Sequence, residues 1–170
     1  MSKGYKKIVL ALTLVLVLLT MTGCGSKEPD PFTATTSFYY SSDGGRNYGN
    51  GAKEYEVGKN VYLKLQYKVT SGDSEKKPTP VKVTLTIPKV EFVDANYMDG
   101  QKITGRYDQV KNQTTFVFTA YASKNASTSE AVFQFIPNGE GQVKLTVDYD
   151  DNVASTYDRV NTLTFVKGND

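Results

Sequence analysis

The chain has 170 residues, in which 20 Lys and Arg face 18 Asp and Glu, for a formal net charge of +2. It contains no histidine and no tryptophan. The absence of histidine excludes the Ser-His-Asp and Cys-His catalytic pairings and removes the commonest protein ligand of zinc and copper. A near-neutral chain also lacks the basic surface expected of a nucleic-acid-binding protein.

The first 23 residues have the three parts of a secretory signal peptide. Three lysines stand before an apolar run from Ile8 to Leu19, and small and polar residues follow up to Gly23. This pattern predicts export, because the apolar run is shorter than the roughly 20 residues that a membrane-spanning helix needs. Removing residues 1–23 leaves 147 of the 170 residues, and the loss of three lysines turns the net charge of +2 into −1. That length fits a single domain.

Cys24 is the one cysteine of the sequence and follows directly after the predicted signal peptide. The stretch Met21-Thr22-Gly23-Cys24 resembles the lipobox of bacterial lipoproteins, with Met in place of the usual Leu. The resemblance implies that Cys24 carries a diacylglycerol and becomes the first residue of the mature chain. Residues 24–31 would then be a lipidated cysteine and a polar tether, and the protein would sit on the extracytoplasmic face of the cell membrane. The alternatives are an ordinary signal peptide with a leftover thiol and a weak membrane anchor.

Residues 32–170 alternate between apolar and polar side chains, which is typical of half-buried strands. The alternation is clearest in NVYLKLQYKV, VKVTLTIP and QVKLTVDY. Their predicted inward residues are Val61, Leu63, Leu65, Tyr67, Val69, Val81, Val83, Leu85, Ile87, Val143, Leu145, Val147 and Tyr149. Further candidates are FTATTSFYY, KVEFV, TTFVFTAY, AVFQFIP and NTLTFVK, with a shorter one at KITGRY. About eight strands separated by turn-rich segments predict an all-β fold, an antiparallel β-sandwich.

The segment VKVTLTIPKVEFV, residues 81–93, resembles a strand pattern of bacterial Ig-like surface modules. The resemblance implies an Ig-like sandwich over residues 32–170. It implies no particular activity, because such folds support many functions.

The stretch SSDGGRNYGNG, residues 41–51, resembles the Asp-box turn S-x-D-x-G-x-T-W of secreted β-proteins. Ser41, Asp43 and Gly45 match, while Asn47 and Tyr48 replace Thr and Trp. In the families that carry it, this box is a structural turn remote from catalysis. We therefore expect the Asp43 carboxylate to accept backbone N–H groups of the turn.

The same region is also a candidate binding loop, because tyrosine gives a large contact area at low entropic cost. Tyrosine fills strands equally well, so a purely structural role is the alternative. The candidate partner-binding residues are Tyr39, Tyr40, Arg46 and Tyr48.

A candidate metal site lies in DYDDN, residues 148–152. Asp148, Asp150 and Asn152 place oxygen ligands at alternate positions, which suits Ca²⁺. The start resembles an EF-hand loop, but Val153 and Arg159 stand where that loop needs Gly and Glu, so the EF-hand interpretation fails. A looser calcium site and a solvated acidic turn remain as alternatives, and no other cofactor is expected.

No local motif nominates a catalytic pair, so the leading hypothesis is a non-enzymatic, membrane-anchored module that binds a protein or a glycan. One alternative is a structural envelope lipoprotein without a specific ligand. Another is a small wall-polysaccharide hydrolase that uses two carboxylates.

Overall fold

The computed structural model describes residues 32–41, 43–50, 54–72, 77–96, 103–150, 153–157 and 159–168. The chain divides into two compact units, Met1–Asp30 and Pro31–Asp170, and all described residues belong to the second. The predicted signal peptide, Cys24 and the tether lie outside the described residues and stay predictions. Within the described ranges no helix is long and apolar enough to cross a membrane.

The described residues form eleven β-strands and no helix. The strands are β1 (Phe32–Ser41), β2 (Glu54–Glu56), β3 (Val61–Thr70), β4 (Thr79–Pro88), β5 (Val90–Asn96), β6 (Thr104–Asp108), β7 (Gln113–Ala122), β8 (Ser129–Pro137), β9 (Gly141–Tyr149), β10 (Val153–Tyr157) and β11 (Val160–Val166). The all-β prediction is confirmed. The predicted number of about eight strands is too low, because the short β2 and β10 carry too few residues to show an alternating pattern.

The strands form two sheets that pack face to face as a β-sandwich. The five-stranded sheet has the order β10-β1-β3-β8-β5, and the six-stranded sheet has the order β2-β11-β9-β4-β7-β6. Neighbouring strands are antiparallel except for β10 beside β1 and β2 beside β11, which are parallel. Both exceptions lie at a sheet edge, so the predicted antiparallel arrangement holds for the inner strands of each sheet.

Period-two alternation builds the core, because successive side chains of a strand point to opposite faces of the sheet. In β4, Val81, Val83, Leu85 and Ile87 all have 0% exposure. The predicted inward residues of β3 are buried as well, and so are those of β9 except Tyr149, which is partly buried. The three predicted core faces are therefore confirmed.

Aromatic side chains join the two sheets across the interior. Phe133 of β8 lies 4.7 Å from Phe116 and 6.2 Å from Phe118 of β7, measured between ring centroids. Burial of one such side chain contributes about 1.5–3 kcal/mol to stability. A polar contact also crosses between the sheets, where the Thr36 and Tyr149 hydroxyl groups are 2.7 Å apart.

Candidate functional site

The segment after β1 folds back onto the strand that precedes it. The Tyr40 N–H donates to the Gly49 carbonyl oxygen over 2.9 Å, and the Gly49 N–H donates to the Tyr40 carbonyl oxygen over 3.0 Å. This antiparallel bridge closes residues 43–48 into a loop at the end of β1. Residues of the loop thereby come to lie beside the five-stranded sheet.

Asp43 holds the loop together. Its Oδ1 accepts the N–H groups of Arg46 over 3.1 Å and of Asn47 over 3.0 Å. Its Oδ2 accepts the side-chain amide of Asn47 over 2.7 Å. The Ser41 hydroxyl also donates to Oδ1 and contributes most to lowering the pKa of Asp43 below its ordinary value, ahead of the bonds from Asn47. The turn expected from the Asp-box pattern is therefore present.

Gly45 lets the loop approach two tyrosine rings. Its φ is 80°, in the left-handed region that favours glycine. A Cβ at this position would lie 3.0 Å from the Tyr48 hydroxyl oxygen and 3.5 Å from a ring carbon of Tyr62. A larger residue would therefore be strained by this backbone conformation and would crowd the Tyr48 hydroxyl group, whereas its contact with Tyr62 would be an ordinary van der Waals contact.

Lys64 lies between two tyrosines on the outer face of the five-stranded sheet. Its ammonium nitrogen is 5.0 Å from the centroid of the Tyr48 ring and 5.7 Å from that of Tyr39. Sheet register places Tyr39 of β1 opposite Lys64 of β3, and the loop supplies Tyr48. These distances are within the range of cation–π attraction.

Glu130 of β8 completes the surface and balances the charge of Lys64. The Lys64 ammonium nitrogen is 3.7 Å from Glu130 Oε1, and Gln66 donates an amide hydrogen to the same oxygen over 2.5 Å. We call Tyr39, Tyr48, Tyr62, Lys64 and Glu130 the tyrosine–lysine surface. Burial raises the pKa of Tyr48, with smaller contributions from Tyr62, Asp43 and Glu130, so its hydroxyl stays neutral at physiological pH.

Of the four predicted partner-binding residues, Tyr39 and Tyr48 come together on this surface, and Arg46 is exposed on the same loop. Tyr40 points to the other face of β1. It is 6% exposed, its ring lies 5.7 Å from that of Tyr55, and its hydroxyl donates to Asn161 Oδ1 over 3.2 Å. Tyr40 therefore belongs to the core and not to the accessible surface.

The residues that sequence reasoning did not select are Tyr62, Lys64 and Glu130. The alternating pattern of β3 does place Tyr62 and Lys64 on the outward face. The pattern does not show how the loop folds, and the loop is what brings Tyr48 over that face.

The predicted calcium ligands are only partly described. Asp148 is exposed on β9. The Asp150 N–H donates to the Lys82 carbonyl oxygen over 3.0 Å, and its Oδ2 accepts the Lys82 N–H over 3.2 Å, so Asp150 extends the pairing of β9 with β4 by one residue. Asn152 lies outside the described residues. Among those that are described, no three His, Cys, Asp or Glu side chains are grouped to hold a metal ion, and the calcium site stays a prediction.

Neither a protein-family model nor a curated protein matches this sequence. Among solved structures, the chain is similar to the CARDB domain of a Pyrococcus furiosus protein, with 13% identity over 82% of this chain and 90% of that one and a TM-score of 0.43. A cohesin module of a Clostridium perfringens family 33 glycoside hydrolase shares 8% identity over 79% of this chain and 98% of its own, with a TM-score of 0.45. The C-terminal domain of the Streptococcus agalactiae AgI/II polypeptide BspA shares 13% identity over 76% of this chain and 49% of its own, with a TM-score of 0.47. These are likenesses of β-sandwich folds alone.

Proposed function

We propose that the protein is a non-enzymatic interaction module that is lipid-anchored through Cys24 on the extracytoplasmic face of the cell membrane. It binds an extracellular or envelope protein through the tyrosine–lysine surface. The observation that carries this proposal is the placement of the Lys64 ammonium group 5.0 Å and 5.7 Å from two tyrosine rings on a sheet face.

The form of this surface favours a macromolecular partner. Tyr39, Tyr48 and Tyr62 are all partly exposed and lie on the outer face of a sheet rather than in a closed cleft. Tyrosine is enriched in the core of protein recognition surfaces and among the residues that contribute most to binding.

The surface is also ordered before a partner arrives. The Asp43 hydrogen bonds fix the loop. The Lys64 ammonium group makes cation–π contacts with the rings of both Tyr39 and Tyr48. A surface that is already ordered loses less conformational entropy on binding. The fixed loop therefore supports a recognition role for Tyr48, the one residue of the tyrosine–lysine surface that belongs to the loop.

The signal-peptide pattern and the lipobox resemblance support the location. A lipid on Cys24 followed by a polar segment with two prolines, Pro29 and Pro31, would hold the sandwich away from the membrane.

Site-specific photo-crosslinking in cells tests this function with the full-length chain. A photoreactive residue at Ser37, exposed on the outer face of β1, is compared with one at Lys144, exposed on the six-stranded sheet. We expect one dominant protein adduct from position 37 only. That adduct should disappear in the Tyr39→Ala/Tyr48→Ala variant and in the mislocalised Cys24→Ser variant. Thr84→Ala, a change on the six-stranded sheet, is the control and should keep the adduct.

Three other outcomes of the crosslinking experiment would change the proposal. The same diffuse set of neighbours from both positions would overturn the proposal in favour of a structural envelope lipoprotein. A dominant carbohydrate adduct at position 37 would replace the protein partner by a glycan. Unchanged localisation of Cys24→Ser would overturn the lipid anchor alone.

A further inference from the structure

A concave feature lies at the C-terminal end of β3. It is an open pocket of about 230 Å³ where β3 approaches the start of β4 and the end of β7. Its lining includes Lys68, Tyr121, Ser123, Asn125, Ser127 and Ser129. The residues of the tyrosine–lysine surface do not line it, so it is a separate site.

Backbone hydrogen bonds fix one wall of this pocket. The Ser123 N–H donates to the Val69 carbonyl oxygen over 3.3 Å, and the Ser71 N–H donates to the Ser123 carbonyl oxygen over 3.2 Å. The Ala126 N–H in turn donates to the Ser123 carbonyl oxygen over 3.3 Å, which closes the turn that carries Asn125. These hydrogen bonds hold the wall against β3, so the wall is already ordered before a ligand binds.

The chemistry of the lining is aromatic, hydroxyl and amide. Tyr121 is 53% exposed, which is unusual for a large aromatic side chain in a strand. Three serine hydroxyls and the Asn125 amide supply donors and acceptors for ligand hydroxyl groups. An apolar ring face beside several neutral polar groups matches a sugar, which has apolar C–H faces and a rim of hydroxyls.

The charge of the pocket selects among sugars. Lys68 is the one charged residue among the lining residues, and none of them is acidic. Lys77 and Lys124 are the sequence neighbours of Pro78 and Ser123, and both are exposed. The nearest acid in sequence, Glu130, already pairs with Lys64. Among the described residues around the pocket the charge is therefore positive, which favours an anionic ligand over a cationic one.

We propose that this pocket binds one pyranose unit of an acidic, carboxylate-bearing saccharide. Tyr121 contacts the apolar face of the sugar ring. Asn125 and the neighbouring serines bond its hydroxyl groups, and Lys68 pairs with its carboxylate. The ligand and the residues differ from those of the protein-binding surface, so either proposal can fail alone.

The test is a titration of the purified full-length chain, in detergent micelles, with a glucuronate-containing hyaluronan hexasaccharide. A neutral chitin hexasaccharide serves as the charge control. We expect saturable binding of the acidic probe, weakened by added salt because the Lys68–carboxylate pair is exposed. Tyr121→Ala should weaken binding about tenfold, the equivalent of roughly 1.4 kcal/mol, whereas Tyr121→Phe should stay within about twofold. Lys68→Gln should remove the preference for the acidic probe while leaving ring contact intact.

Matched variants separate binding from folding. Tyr39→Ala/Tyr48→Ala should bind both probes as the unmodified chain does, and the variants of pocket residues should keep its thermal unfolding midpoint. If neither probe binds saturably, the pocket is not a saccharide site. Equal binding by Tyr121→Ala would also overturn it, with Asn125→Ala as a second variant that must weaken binding if the pocket is used. Equal affinity of the unmodified chain for the two probes would overturn the assignment of an acidic sugar.

Discussion

The ammonium nitrogen of Lys64 lies 5.0 Å from the centroid of the Tyr48 ring, although the two residues come from different parts of the fold. Lys64 belongs to the middle of β3, whereas Tyr48 belongs to the loop that follows β1. The contact therefore fastens the loop to the sheet. An exposed cation–π contact is worth about 0.5–1 kcal/mol, enough to bias a side chain toward one position without determining the fold.

Lys64→Met tests this contact because methionine keeps most of the aliphatic stem and removes the charge. We expect partner crosslinking to fall several-fold, since Tyr39 and Tyr48 lose their common anchor. The free energy of unfolding should fall by about 1 kcal/mol or less. Lys144→Met, an exposed change on the other sheet, is the control for both measurements. An equal loss of crosslinking in that control would show that the effect does not arise from the tyrosine–lysine surface.

Asp43→Ala should open the loop while leaving the sandwich folded. The N–H groups of Arg46 and Asn47 lose their acceptor, so their hydrogen exchange should become much faster. Partner crosslinking should fall with it, because Tyr48 is no longer held over the sheet. Arg46→Ala is the matched control for the exchange measurement alone, since only the backbone of that residue bonds to Asp43. Slow exchange of Asn47 in the Asp43→Ala protein would show that other contacts hold the loop.

Acid should open the same loop at a lower pH than is usual for a carboxylate. The pKa of Asp43 lies below its ordinary value because the charged form accepts hydrogen bonds, first from Ser41 and then from Asn47. Its contribution to loop order is therefore complete above the unfolded pKa of about 4 and is lost only as pH falls through the lower folded value. The amide resonance of Asn47, followed by NMR, should keep its neutral-pH position at pH 4. A midpoint at or above pH 4 would contradict the hydrogen-bonded arrangement.

Alternation predicts most of this fold because each inward position must be apolar. Eight of the eleven strands follow from it, and the segment KITGRY predicts the short β6 as well, although no residue of that strand is buried. The edge strands β2 and β10 do not, because each is short and pairs in parallel with a strand distant in sequence. Such a pairing depends on tertiary contacts rather than on a local pattern.

The candidate surface is less accessible to sequence reasoning than the core. Tyr39 and Tyr40 look equivalent as tyrosines, yet the alternation of β1 already puts Phe38 and Tyr40 on the same, inward face. The contact between Lys64 and Tyr48 depends on how the loop returns to β1, which the Asp-box resemblance predicts only as a turn. Residues that meet through a loop therefore have to be identified in three dimensions.

Tyr40 and Tyr55 should make the protein sensitive to strong alkali. Burial raises the pKa of Tyr40 far above its usual range, with a smaller contribution from Tyr55, and burial raises the pKa of Tyr55 to about 12. The folded state thus holds these protons more tightly than the unfolded state, so stability is complete below about pH 10 and falls as pH rises further. Urea unfolding at pH 8 and pH 11 measures this loss.

Tyr40→Phe separates the two effects of the buried hydroxyl. At pH 8 it should lower the free energy of unfolding by about 1 kcal/mol, because Asn161 loses a hydrogen-bond donor. Between pH 8 and pH 11 its stability should fall less than that of the unmodified chain, because one titrating group is gone. Tyr39→Phe, on the outer face, is the control and should leave the alkaline loss unchanged. An equally steep loss in Tyr40→Phe would assign the alkaline sensitivity to other groups.

Phe133 should be among the most costly residues to truncate, because it joins the two sheets. Its ring contacts Phe116 and Phe118 of the opposite sheet and is 0% exposed. Phe133→Ala should lower the free energy of unfolding by about 3–5 kcal/mol, through lost burial and the cavity that remains. Val132→Ala, on the outer face of the same strand, should cost about 1 kcal/mol or less in the same urea titration. Similar losses for the two variants would mean that the interior closes around the missing ring. The aromatic contacts between the sheets would then contribute no more to the free energy of unfolding than a side chain on the outer face does.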